Sequence, residues 1–282
     1  MKRLSAVVLV LLLVFSLGAC GSNKNTPGNE AAKTGKTEAE PLKPTEIAEL
    51  PGRPGDTKNI ICVSYEAYGD AEDKFSKYVL AESEDHEVVS VKFSTVEPTD
   101  LKNLGYLLPL RFMGESIKSL GKYDAGFEMI MFKTGWGDDV EVTYNPDTGY
   151  VVAHTDDSGS AIQVRAMYDG DADSLRVEGY KDGVLDFLFE YIRTVGGYAA
   201  QYHYEKITGY EKNSFTPIVG FCTYRLMFER SNGSYARFDL VDAEPDSIFG
   251  LVPDEDCFID GATHWLTITD GKFAGNIGGE AF

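Results

Sequence analysis

The feature that most constrains this chain is a series of turn signals recurring about every ten residues through its second half. Asn145-Pro146-Asp147-Thr148-Gly149, Asp156-Asp157-Ser158-Gly159, Asp169-Gly170-Asp171, Lys181-Asp182-Gly183, Gly196-Gly197, Asn232-Gly233 and Asp270-Gly271 punctuate stretches rich in Val, Ile, Thr and aromatic residues. Gly, Asn and Asp accept the backbone angles that tight turns require. Short strands joined this way form an antiparallel meander. The spacing predicts a mainly β, α+β domain: a curved sheet or half-open barrel with one or two short helices. No regular strand–helix alternation is visible, which argues against a doubly wound fold or a periplasmic-type solute-binding protein. No repeat of fixed period stands out.

Turn geometry also predicts register. With Gly196-Gly197 as a two-residue turn, Tyr191 faces Tyr202, Phe189 faces Tyr204, Glu190 faces His203 and Leu188 faces Glu205. With Lys181-Asp182-Gly183 as a three-residue loop, Val177 faces Phe187, Leu175 faces Phe189 and Glu178 faces Asp186. Both turns put Leu175, Val177, Phe187, Phe189, Tyr191, Tyr202 and Tyr204 on one side of strands near 174–180, 184–193 and 198–206. A one-residue slip in either would mix this face with polar residues. Glu190 then falls on the polar side. Phe189→Ala is expected to cost about 3–5 kcal/mol and Glu190→Ala no more than about 0.5. A loop at Ser231-Asn232-Gly233 sets Leu226 opposite Phe238, Tyr224 opposite Leu240 and Arg225 opposite Asp239, separating apolar from charged pairs.

Before the meander, Asp70 can cap a helix that carries Ala71, Phe75, Tyr78 and Val79 on one face. Strands are expected beside it at 59–65 and 87–95. A second short helix is expected from Thr99-Asp100, after Pro98.

The N-terminus has a separate logic. Lys2 and Arg3 precede an uncharged run from Leu4 to Leu17, dominated by Ala, Val, Leu and Phe. Fourteen helical residues rise about 21 Å, short of the roughly 30 Å hydrocarbon core, so the run suits a signal peptide rather than a permanent span. Leu17-Gly18-Ala19-Cys20 closes it. This resembles the lipobox of bacterial lipoproteins, with Gly18 where Ala or Ser is usual. The resemblance implies cleavage before Cys20 and a diacylglycerol on its sulfur. Each buried CH₂ adds roughly 0.8 kcal/mol to such an anchor. The implied organisation is a signal peptide at 1–19, a lipidated tether at 20–56 and a single β-rich extracytoplasmic domain at 57–282.

The tether follows from composition. Of 16 Tyr, 16 Phe and two Trp, only Phe15 lies before residue 57, and five of the 11 prolines fall within 21–56. Such a stretch buries too little apolar surface to offset the entropy of ordering. It should behave as a coil spanning roughly 30–36 Å, with the folded body starting near Asn59. The formal net charge is −19, and loss of Lys2 and Arg3 with the signal makes it −21. Such a field repels nucleic acid and anionic headgroups and leaves cations or basic proteins as charged partners. Beyond Cys20 the cysteines are Cys62, Cys222 and Cys257, with no CxxC or zinc spacing. A Cys222–Cys257 disulfide and free buried thiols both fit.

Motifs for chemistry are sparse. GxSxG, HExxH and a phosphate-binding glycine loop are absent from the body, and no cofactor is implied. His86, His154, His203 and His264 lie far apart, and His203 is expected to form a solvated pair with Glu190. Asp169, Asp171 and Asp173 alternate like the first half of an EF-hand loop. The resemblance ends at Ser174, where glycine belongs, and at Tyr180, where the bidentate Glu belongs, so an acidic hairpin turn is the plainer reading. Asp254-Glu255-Asp256 and the acidic residues from Asp242 to Asp246 read as acidic loops. Glu178 facing Asp186 is a weak hint of a bridging cation.

Composition and motifs together point to a non-catalytic binding lipoprotein. One form is a carrier of an apolar ligand or lipid on the face made by Phe187, Phe189, Tyr191, Tyr202 and Tyr204, similar in broad architecture to the half-open barrels of lipoprotein carriers. The other is a structural or protein-interaction module of the cell envelope. An open apolar cavity would favour the first, and a filled core with an exposed patch the second.

Overall fold

The computed structural model describes residues 61–98, 104–121, 124–145, 148–211, 214–241, 243–250 and 258–282. The signal segment, Cys20, the tether and the domain start near Asn59 lie outside these residues. So do Thr99-Asp100, Pro146-Asp147, Asp242, Cys257 and Asp254-Glu255-Asp256.

Helices come first: α1 Ile61–Glu82, α2 Glu87–Lys92 with a 3₁₀ turn at Phe93–Thr95, α3 Leu104–Leu120 and α4 Ala125–Trp136. Eleven strands follow: β1 Glu141–Asn145, β2 Gly149–Thr155, β3 Ala161–Asp169, β4 Ser174–Lys181, β5 Val184–Arg193, β6 Gly197–Tyr210, β7 Pro217–Glu229, β8 Asn232–Phe238, β9 His264–Thr269, β10 Lys272–Ile277 and β11 Glu280–Ala281. They lie in one sheet in sequence order, every neighbour antiparallel, with β1 and β11 at its edges. The fold is therefore an α+β meander on an open sheet. No described helix is long and apolar enough to cross a membrane.

Two expected strands are helices. Residues 61–65 open α1, where Ile61, Tyr68, Phe75 and Val79 are buried at helical spacing, and Asp70 is an exposed interior residue rather than a cap. Residues 87–95 form α2 and the 3₁₀ turn; Nδ1 of His86 caps α2 by accepting the Val89 amide at 3.4 Å. Val89, Phe93 and Val96 are buried there at spacings of four and three. In both places, packing of one helical face on the sheet overrides the strand preference of β-branched residues. Four described helices stand where one or two were expected. α4 is capped by Asp124, which accepts the Gly126 and Phe127 amides at 3.0 and 3.2 Å.

The three strands expected near 174–180, 184–193 and 198–206 are β4, β5 and β6, consecutive and antiparallel. Their aromatic side is a core surface, but the register differs by two residues. Phe189 pairs with Val177 and Tyr202, Phe187 with Gly179 and Tyr204, and Tyr191 with Leu175 and Ala200. The β4–β5 turn is two residues, Asp182-Gly183, both at positive φ, and a bulge at Gly179/Tyr180 supplies the offset. Glu178 accordingly faces Leu188, not Asp186. Between β5 and β6, Thr194 pairs with Gly197 around Val195-Gly196. Gly197 sits in the strand because a Cβ there would lie 2.0 Å from the Phe228 carbonyl oxygen.

The β7–β8 turn is Arg230-Ser231, with Glu229 paired to Asn232. Leu226 faces Tyr235, Tyr224 faces Arg237 and Arg225 faces Ala236, so the register expected from a Ser231-Asn232-Gly233 loop is overturned. Gly233 serves close packing, since a Cβ would meet the Phe75 ring at 2.6 Å and the Met227 carbonyl at 2.5 Å.

α1 and α3 cover the aromatic face. Tyr68 stacks on Tyr191 at 4.7 Å and 1°, Phe75 on Phe228 at 4.9 Å, and Tyr106 on Phe187 at 5.2 Å. Each such pair adds about 0.5–1.5 kcal/mol beyond the area it buries.

Candidate functional site

The five aromatic residues singled out as a ligand face, Phe187, Phe189, Tyr191, Tyr202 and Tyr204, are all buried in the main core. The face is a filled interface with the helices, not an open wall. Its polar tips are tied inward. The Ser64 hydroxyl meets the Tyr191 hydroxyl at 2.5 Å and donates to Asp173. Tyr68 and Tyr202 hydroxyls meet at 2.9 Å, and Tyr202 donates to Glu72 at 3.0 Å. Burial lifts the Glu72 carboxyl to about 7, against the lowering effect of the two tyrosine hydroxyls.

Asp169, Asp171 and Asp173 do not converge as ligands. Asp169 accepts the amides of Asp171 and Ala172 at 2.9 and 3.2 Å, an ordinary turn cap. Asp173, at φ 47°, accepts the Ser64 and Tyr168 hydroxyls and lies 3.5 Å from Arg193. Cys222 is a buried thiol that donates to Asp239 at 3.4 Å and Cys62 is a free buried thiol, whereas Cys257, the other half of the Cys222–Cys257 pairing, lies outside the described residues.

The opposite side of the sheet is not a solvated polar face. Glu190 is 0 % exposed. It accepts from Arg176, from Ser247 Oγ at 2.9 Å, from the Ile248 amide at 3.1 Å and from Gln201 Nε2 at 3.3 Å. Glu178, rather than needing a cation, is held by Arg176 at 2.6 Å, Arg165 at 3.1 Å and the Tyr180 hydroxyl at 2.8 Å. The segment 244–248 lies over this belt: Glu244 meets Arg176 at 2.5 Å, and Ile248 packs with Phe258 and Ala199. His203, expected beside Glu190 in solvent, is buried against Phe221, shares a 3.0 Å hydrogen bond with Thr223 and faces Leu188. Burial pushes its imidazole down to about 4.

Three surface features remain. The first is a cleft of about 310 Å³ lined by Asp139, Glu141, His154 and Tyr180. Asp139 is engaged with the Thr155 amide at 3.1 Å, and the His154 ring lies flat on Trp136 at 4.5 Å. Both residues thereby tie β2 to what precedes it. The second is a groove of about 580 Å³ where α1 meets the β5–β6 and β7–β8 turns.

The third is a hairpin arm. β5 pairs with β6 only as far as Tyr204, and β8 pairs with β7 only from Thr223. Beyond those residues β6 and β7 pair with each other out to Tyr210 and Pro217. Val241 ties the base, its amide donating to the Phe221 carbonyl at 2.9 Å. The arm exposes Ile207, Tyr210, Ile218 and Val219, and Phe215 near the tip is 97 % exposed. A free two-stranded ribbon is marginal in water, and exposed apolar residues on it are a liability unless something covers them.

Sequence reasoning missed the arm because Ile207, Ile218 and Val219 read as ordinary strand residues. The available signal was length: the strand pattern of β6 runs on to Tyr210, 14 residues against the ten of β5, so β6 outruns its neighbour. Searches of protein-family models, curated proteins and solved structures bring no match to this chain.

Proposed function

We propose that this protein is a lipid-anchored, extracytoplasmic, non-catalytic interaction module of the cell envelope. In this reading Cys20 carries the anchor, residues 21–56 space the body from the bilayer, and the β6–β7 arm is the surface presented to a protein partner. The observation that carries it is the arm: five exposed apolar residues on a ribbon that outruns both flanking strands. The filled aromatic core supports the same choice over a carrier that would use that face.

The test is site-specific photo-crosslinking in the native host. A photoreactive phenylalanine replaces Phe215 on the arm or, as a control, exposed Val91 on α2. A discrete adduct from position 215, weakened by Ile218→Ser with Val219→Ser and absent from position 91, is the expected result. No adduct at 215, or the same adducts from both positions, would overturn the proposal.

A further inference from the structure

The groove at the other end of β6 and β7 carries an inference independent of the arm. Its floor is aromatic: Phe75 and Tyr78 of α1, Tyr198 of β6 and Phe228 of β7. Its volume, about 580 Å³, is in the range of small-molecule sites, roughly 300–1,000 Å³. The rim is the unusual part. Lys74, Arg193 and Arg230 line it and no acidic residue does, although the chain has 45 Asp and Glu against 26 Lys and Arg. Glu229, beside Gly196, lies just outside.

The three cations are available. Among the described residues Lys74 and Arg230 make no ion pair, and Arg193 has only the 3.5 Å contact with Asp173, with most of its side chain exposed. They reach the rim from three separate places, α1 and two hairpin turns. Arg230 is held at φ 57°, and its amide donates to the Gly196 carbonyl at 3.0 Å, which joins the two turns. Thr194 Oγ1 accepts the Gly197 amide at 3.1 Å and fixes the β5–β6 turn. The rim is thus built on braced backbone, while the side chains stay free to meet a ligand.

We propose that this groove binds an amphiphilic anion, with its apolar body on the aromatic floor and a carboxylate or phosphate head among Lys74, Arg193 and Arg230. The two parts act together: the floor alone selects any apolar molecule, and exposed cations alone hold a small anion only weakly. Such a ligand also fits the electrostatics of the chain. A strongly acidic body repels anions in general, so a locally cationic rim beside apolar surface needs an apolar tail on its ligand to retain it.

The test is isothermal titration calorimetry on the full chain carrying Cys20→Ala, with octanoate, octyl phosphate, octanol, octyltrimethylammonium and inorganic phosphate below micellar concentrations. Octanoate or octyl phosphate should bind at least tenfold tighter than octanol, the cation and inorganic phosphate. The tighter of the two anions identifies the head group. Lys74→Gln with Arg193→Gln and Arg230→Asn should cost the anions tenfold or more and leave octanol unchanged. Salt gives the same decision without a variant. From about 0.1 M to 1 M the screening length falls from roughly 10 Å to 3 Å, so anion affinity should drop while octanol affinity does not. Octanol binding as tightly as the anions, inorganic phosphate matching octyl phosphate, or anion affinity indifferent to both charge removal and salt would each overturn the proposal. None of these outcomes touches the arm, so the two readings fail separately.

Discussion

Glu190 and Gln201 face each other across β5 and β6, both fully buried, with Gln201 Nε2 3.3 Å from Glu190 Oε2. The pair lies on the side of the sheet that alternation assigns to solvent. Gln201 donates also to the Asp246 carbonyl at 3.1 Å and accepts from Arg225 Nε at 2.9 Å. The 244–248 segment is thereby attached to the back of the sheet through polar groups.

The first prediction follows directly. Removing one partner of a buried charged network leaves donors without acceptors, a loss of about 3–5 kcal/mol. Glu190→Ala should therefore destabilise the protein about as much as Phe189→Ala, which opens a cavity worth about 3–5 kcal/mol. Glu190→Gln keeps an acceptor and should cost less. Urea unfolding of the three variants decides: a Glu190→Ala loss within about 0.5 kcal/mol would mean that the belt contributes little.

That correction shows what was legible in the sequence. Period-two alternation placed Phe187, Phe189, Tyr191, Tyr202 and Tyr204 together, and a register error of two residues preserves facing. The loop Ser231-Asn232-Gly233 was misplaced because glycine has two uses. At Asp182-Gly183 and Asp270-Gly271 it makes the turn at positive φ. At Gly197 and Gly233 it lets backbone or a ring approach a strand. Local sequence does not distinguish these uses, because the approaching Phe228 carbonyl and Phe75 ring come from elsewhere in the chain. The buried polar belt was hidden for the same reason. Arg176, Glu190 and Gln201 look solvated until the 244–248 segment is placed over them. Of the candidate surfaces, the arm was implicit in strand length. The groove was not, since Lys74, Arg193 and Arg230 come together only in the fold.

A second prediction concerns Gly179 and Tyr106. A Cβ on Gly179 would lie 2.3 Å from the Tyr106 ring, which stacks on Phe187 and donates its hydroxyl to Asp186 at 2.6 Å. Gly179→Ala should cost about 1–3 kcal/mol by overpacking. In a Tyr106→Ala background the same change should cost far less. A double-mutant cycle by thermal melting measures the coupling, and additive losses would show that the ring is free to move aside.

The anchor is tested apart from the fold. Cys20→Ala expressed in the native host should stay unacylated and unprocessed, as expected from the Leu17-Gly18-Ala19-Cys20 pattern. Intact-mass measurement of the membrane fraction checks it. A variant still cleaved and acylated like the wild type would rule Cys20 out as the lipid site.

The last prediction is a cancellation in the pH dependence of stability. Glu72 is raised from 4.5 to about 7 by burial, so the folded state holds a proton there that the unfolded chain has released. Its stabilising contribution is complete below about pH 4.5 and is lost as pH rises toward 7. At about 1.4 kcal/mol per pKa unit, the loss is on the order of 3 kcal/mol. Glu97, also raised by burial, adds with the same sign. His203 works the other way. Burial lowers it from 6.5 to about 4, so the unfolded chain takes the proton first, and stability is lost as pH falls from about 6.5 to 4. That contribution is again on the order of 3 kcal/mol. His154 and His264, both lowered chiefly by burial, add to it. Between about pH 4.5 and 6.5 the carboxyl and imidazole slopes oppose each other, and the wild type should show a nearly flat stability profile. Glu72→Gln removes the falling slope and should leave a protein that gains stability as pH rises through this window. His203→Gln should tilt the profile the opposite way. Urea unfolding at half-unit pH steps reads all three curves. Parallel curves for wild type and Glu72→Gln would show that the Glu72 carboxyl is not shielded from water between α1 and the sheet.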